Sequence, residues 1–227
     1  LELLEALGTF WDIDEKLIST YQRMIAAKDE LETVHDIQAI IEKAPEEAAK
    51  AEAAAKIIEA AGKESLIDFR NALIQYGEYL ERVNLEHDEN YTILKKYKEA
   101  IAGLADDETQ DEDPEDIQAA IDDDETQDED PVGIEDIQAA IDEVNREQAE
   151  EAVKEAVKSL KRSDWTRANT LVAYMADDEA EANDQPKKAA QDALAKLDLV
   201  LEVVEAAQNE ELGDLYGALE ELEVKDV

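Results

Sequence analysis

PEEAAKAEAAAKIIEAAG, residues 45–62, decides the fold class. Alanine, glutamate and lysine lose little side-chain freedom in a helix, so a run built from them has the strongest intrinsic helix preference. Proline at 45 suits a first helical turn, where its missing N–H has no partner to lose. Gly62 then supplies a stop. The spacing predicts a helix over about 46–61, beginning at Pro45.

Working outward, the pattern stays helical. In LISTYQRMIAA (17–27), Leu17, Tyr21, Met24 and Ile25 fall on one helical stripe. Thr33 is placed to cap a helix starting near Val34, and Asp36 three residues on completes a capping-box pattern. Ser163 or Asp164 is expected to start the helix that carries Trp165, Ala168, Val172 and Met175. Asp184, next to Pro186, is expected to start another, with Leu194, Leu197, Leu201 and Val204 on one face. No segment sustains the period-two alternation of a strand. The expected fold class is all-α: tandem helical bundles joined by short turns, with an acidic loop insertion.

Internal similarity organises the chain. DIQAIIEK (36–43) returns as DIQAAIDD (116–123) and DIQAAIDE (136–143). LISTYQRMIAA (17–27) resembles ILKKYKEAIAG (93–103), matching Tyr21 to Tyr97 and Ile25 to Ile101. DFRNALIQY (68–76) resembles TRANTLVAY (166–174). Three pieces in the same order, twice, describe a duplicated helical unit. The division expected is residues 1–68, then 69–214 with the acidic insertion at 106–135, then 215–227 as the start of a further unit. That last assignment rests on LLEALGTFWDID (3–14) resembling LYGALEELEVKDV (215–227), and the chain reads as a piece of a longer array.

Charge is the extreme feature of the composition. Sixty-two acids against twenty-two bases give a formal net charge of −40. Such a surface repels nucleic acid and anionic lipid, whose binding needs basic side chains. No apolar run reaches the ~20 residues of a membrane helix, so neither nucleic-acid binding nor membrane insertion is expected. There is no cysteine, which removes disulfide and thiolate chemistry.

Half of residues 106–143 are acidic and none is lysine or arginine, and DDETQDEDP occurs at 106–114 and again at 123–131. These loops have two readings. The carboxylates of Asp107, Asp111, Asp113, Asp124, Asp128, Asp130 and Glu135 are hard oxygen ligands of the kind calcium takes, so calcium is the one cofactor considered. Alternatively, the loops are solvated linkers extended by like-charge repulsion. A sensor EF-hand fits poorly: counted from Asp124, Glu129 stands where the turning glycine belongs and Pro131 where an apolar residue does.

Catalytic patterns are missing. His35 and His87 are the only histidines, and neither lies in a zinc-binding spacing. No phosphate-binding glycine loop is present, and nothing desolvates one carboxylate of a pair. The expectation is a non-enzyme. Phe10 and Trp11 are read as inter-unit packing, with a partner-binding hot spot as the alternative. Tyr76, Tyr79, Tyr91 and Tyr97 are expected to pack between helices with their hydroxyls reaching solvent.

YQRMIAAKDELETVHDIQAIIEKA (21–44) and DIQAAIDEVN (136–145) resemble helical tandem-repeat modules of Gram-positive, Bacillus-like cell-surface and S-layer proteins. A fainter likeness is to three-helix albumin-binding modules, from which the turn KDELE and the acidic insertion depart. The resemblance implies an extracellular spacer or lattice segment at the cell wall or cell surface. Its partners would be neighbouring repeats or other copies, and calcium would stiffen it. The alternative is a helical module that grips a host or matrix protein.

Overall fold

The computed structural model describes residues 14–28, 33–85, 91–107, 132–177, 185–208 and 217. Among these the regular structure is helical, with no strand. A 3-10 turn, Glu15–Leu17, leads into α1 (Ile18–Ala26). Then come α2 (Val34–Ala61), α3 (Leu66–Tyr76), a 3-10 turn Gly77–Tyr79, α4 (Thr92–Asp107), α5 (Ile134–Ser159), α6 (Arg162–Ala173) and α7 (Pro186–Gln208). No helix among the described residues is long and apolar enough to cross a membrane.

The chain divides into two compact units. The first takes the described residues up to Tyr79 together with 132–135, and the second takes those from Leu80 to 107 and from Asp136 onward. This division differs from that of the repeated segments, whose 68/69 boundary falls inside α3.

In the first unit α2 packs against both α1 and α3. Its start is fixed by chemistry legible in the sequence. The Thr33 hydroxyl accepts from the Asp36 N–H at 3.3 Å, and the Asp36 carboxylate accepts from the Thr33 N–H at 2.8 Å. Two N–H groups that the helix leaves orphaned are thereby satisfied. Tyr21 is buried with Ile40 and Ala44, and Leu17, Ile18, Met24, Ile25 and Ile41 pack around them. The stripe read from 17–27 is therefore the face α1 buries. Ser65 caps α3, which buries Phe69, Ala72 and Leu73.

Pro45 corrects one expectation. It does not begin a helix; α2 runs through it from Val34 to Ala61. The Pro45 ring leaves the Ile41 carbonyl without its usual i+4 donor. Ile40 and Ala44 are buried just before the proline, and Ala53, Ala54 and Ile57 after it. Burial on both sides holds one continuous helix where local rules alone would break it. Gly62 does terminate α2, but at φ −69°, so it is not acting as a left-handed cap.

The core of the second unit joins Ala149, Ala152, Val153 and Ala156 of α5 to Ala168, Leu171 and Val172 of α6, to Met175 just after α6, and to Leu194, Leu197 and Leu201 of α7. Small alanines on α5 let the helices approach closely while leucines fill the space between. Helix α6 begins at Arg162 rather than at Ser163 or Asp164, and its N-cap Lys161 makes no side-chain capping bond. The turn before it is made by Leu160 at φ 51°, a left-handed conformation unusual for leucine. Arg162 is then held by Glu205 and Asp198 of α7. That pairing takes the place of a cap in fixing the helix start. Helix α7 starts on Pro186 as expected; Asp184 lies outside the described residues.

Candidate functional site

The residues singled out for chemistry fall largely outside the described residues. Asp111, Asp113, Asp124, Asp128, Asp130, Phe10, Trp11 and His87 all lie there. Asp107 is the last residue of α4, and Glu135, the second of α5, is exposed. Among the described residues no group of three or more His, Cys, Asp or Glu is placed to hold a metal. His35 is an exposed residue of the first turn of α2.

The structure does assemble a polar site that sequence reasoning missed, in the second unit. The segment Leu80–Leu85, between the 3-10 turn and α4, runs without helical structure beside one stripe of α5. The Gln138 carboxamide clasps the backbone of Glu81 at both ends. Its Oε1 accepts from the Glu81 N–H at 2.7 Å, and its Nε2 donates to the Glu81 carbonyl at 3.1 Å. One turn on, Asp142 receives the Arg82 guanidinium in a fork, with Nε to Oδ1 at 3.3 Å and a terminal nitrogen to Oδ2 at 3.2 Å. Another turn on, Asn145 Nδ2 donates to the Arg82 carbonyl at 3.0 Å and to the Tyr174 carbonyl at 3.1 Å. Positions 138, 142 and 145 share one face because a helix repeats every 3.6 residues.

Tyr97 of α4 closes the network. Its hydroxyl donates to Asn145 Oδ1 and accepts from the Asn84 N–H at 3.2 Å. This corrects the expectation that its hydroxyl reaches solvent: Tyr97 is fully buried. A buried hydroxyl needs partners, and Asn84 and Asn145 supply them. Burial pushes its pKa up to about 12, so the phenol stays protonated and works as a hydrogen-bonding post. Arg82 takes up φ 55°, which turns its guanidinium toward Asp142 while its carbonyl faces Asn145. Asp142 in turn raises the pKa of that guanidinium.

A second polar cluster ties α6 to α7. Arg162 forks onto Glu205 at 3.0 and 3.2 Å, bonds Asp198, and lies 5.3 Å from the centre of the Trp165 ring. The Trp165 indole N–H donates to the Leu194 carbonyl at 3.0 Å. Arg162 holds Glu205 below the ordinary carboxylate range. Lys187 donates to the Met175 carbonyl at 2.9 Å and pairs with Asp177 at 2.8 Å, holding that carboxylate low as well.

Both clusters hold parts of the chain in place. Each joins helix to helix or helix to backbone, and neither sets a nucleophile beside a base. Asn145 and Gln148 are buried although DEVNREQAEEA reads as a solvated run. A signal was available: Gln148 falls in line with Ile137, Ile141 and Val144 at helical spacing. Arg82 had none, since its partner lies sixty positions away.

No family model matches the chain, and neither the curated proteins nor the solved structures contain a match.

Proposed function

We propose that the chain is a non-enzymatic structural segment, built from a tandemly repeated three-helix unit, that spaces or assembles a cell-surface layer. The observation that carries the reading is the placement of the repeated segments. The DIQ motif occupies the same register at the start of both long helices, with Asp36 and Asp136 each the third helical residue. Tyr21 and Tyr97 are both buried in the helix before it. DFRNALIQY and TRANTLVAY form most of the short helices after it, α3 and α6. Repetition with conserved placement is how arrays that project or tile a surface are built.

An extracellular setting at the cell wall follows from the resemblance to surface-layer repeats. Calcium held by the carboxylates of 107–130, with Glu135, is the second part of the proposal: it would neutralise charge and stiffen the connection it bridges.

A thermal melt by circular dichroism tests the calcium part, with millimolar calcium set against sodium chloride at equal ionic strength. A ligand bound only by the folded state raises the melting temperature by mass action. A rise specific to calcium, lost when Asp124, Asp128 and Asp130 become asparagine, supports a stiffened array, and equal melts remove calcium from it. Brief protease treatment of intact native cells tests the setting. Release of peptides from this chain supports a surface location, and release only after lysis overturns it.

A further inference from the structure

The start of α5 holds an extended stretch of chain, and the start of α2 carries the same motif with that place empty among the described residues. Gln38 donates to Glu42 at 2.9 Å just as Gln138 donates to Asp142 at 2.9 Å, so the two amides are set in the same way. Gln138 also grips the Glu81 backbone, whereas Gln38 has Glu42 as its one partner. Its carbonyl oxygen and second N–H thus point from a half-buried position with nothing to bind.

The repeat names an occupant. Aligned without a gap on Tyr21 and Tyr97, residues 4–27 lie over 80–103. Leu4-Glu5 then falls on Leu80-Glu81, Leu7 on Val83, and Asp12 on Asp88. Leu4 stands as far before Tyr21 as Leu80 does before Tyr97. Helical structure also resumes at matching places, at Glu15 in one copy and Thr92 in the other. The thirteen residues before Asp14 lie outside the described residues, so chain of the needed length is at hand.

We infer that the α2 face bearing Gln38 and Glu42 is a docking site for the chain's own residues 4–9, with the Gln38 carboxamide clasping the backbone N–H and C=O of Glu5. The inference rests on the repeat reading above, and not on the surface setting or on calcium. The clasp is thinner than its counterpart. Ala6 stands where Arg82 forks onto Asp142, and Pro45 where Asn145 binds the chain. Because the amide reads backbone, the Glu5 side chain is dispensable to it and the Glu5 N–H is not.

The test is amide hydrogen exchange on the full chain, resolved to Glu5 and Glu81. The Glu5 amide is expected to be protected, and Gln38→Ala to speed its exchange roughly ten-fold, the effect of losing one or two hydrogen bonds. The α2 core at Ile57 should be unchanged. Glu5→Ala should leave the melting temperature as it was, while Glu5→Pro, which removes the donor, should lower it as Gln38→Ala does. The double variant should be no worse than either single one.

Gln138→Ala read at Glu81 is the control: a ten-fold change there with none at Glu5 overturns the docking inference and leaves the repeat standing. No change at either place overturns the clasp itself. An effect of Gln38→Ala that persists after residues 1–13 are removed, and that grows with protein concentration, also overturns the inference and assigns the face to a second copy.

Discussion

The two copies of one helix start, in α2 and in α5, share a motif and diverge just beyond it. Gln38, Glu42, Pro45 and Ala48 stand on the stripe that in α5 carries Gln138, Asp142, Asn145 and Gln148. In α5 that stripe is a hydrogen-bonding edge that captures six residues of chain and a buried tyrosine. In α2 the later part of the stripe has nothing to offer the backbone, and Tyr21 packs against Ile40 and Ala44. The shared DIQ start fixes register, and the residues seven and ten positions after its glutamine decide whether the helix is a packing surface or a socket. Socket and surface also differ in cost of failure, because buried polar groups are strongly destabilising once a partner is lost.

That difference can be broken from either side. The largest effect is expected from Asn145→Ala, which leaves the Tyr97 hydroxyl and the Arg82 and Tyr174 carbonyls without their amide. A loss of about 3 kcal/mol in the second unit is expected, read from denaturant melts followed by Trp165 fluorescence. A loss below about 1 kcal/mol would mean that water substitutes and the socket is soft.

On the α2 side the expected sign is opposite. Pro45→Ala restores the N–H that the Ile41 carbonyl lacks, and should stabilise the first unit by about 2 kcal/mol. Exchange protection at Ala53 and Ile57 is the measurement. No gain there would show that the proline is already accommodated by packing on either side of it.

Alkaline titration sharpens the comparison next. The folded-state pKa of Tyr97, about 12, lies above its ordinary value of 10.0. Its contribution is therefore complete below pH 10 and is lost as pH rises from 10 toward 12. The size is on the order of 2 kcal/mol. Tyr97→Phe should be less stable near neutrality and should show a shallower loss across that window. Parallel pH profiles for the two proteins would contradict the burial of that hydroxyl.

The smallest effect is a gain. Gln148 is buried with its Nε2 unpaired, at a position where the α2 stripe has Ala48. Gln148→Leu should stabilise the second unit by about 1 kcal/mol, since it removes a desolvated donor and keeps the volume. A loss instead would place a structural water against that amide.

The legible parts of the molecule were those in which one local rule acts without competition. The capping box at Thr33, the α1 stripe and the Leu194, Leu197 and Leu201 face could all be read because spacing and chemistry agree within a single turn or helix. Pro45 was misread because burial of residues distant in sequence outweighs a local breaker, and propensity carries no record of that burial. The α6 start was misplaced for a related reason: Arg162 is anchored by α7, not by its own neighbours. The clasp was hidden because its donors and acceptors are backbone groups, which every residue has. Gln138 and Asn145 look like any surface amides until the chain at 80–85 is laid beside them. The acidic residues were conspicuous in the sequence, yet most of them lie beyond the described residues, so conspicuousness there did not become geometry.

The most direct test of this account is residue-resolved hydrogen exchange at Glu81 and Asn84. Both amides lie outside any helix, yet each donates to a side chain of the socket or its tyrosine, Glu81 to Gln138 and Asn84 to Tyr97. The account predicts that they exchange as slowly as the buried turns of α5 and are released together by Asn145→Ala. Exchange at the rate of an open loop, with α5 still protected, would contradict it and reduce the DIQ helix start to an ordinary packing face in both copies.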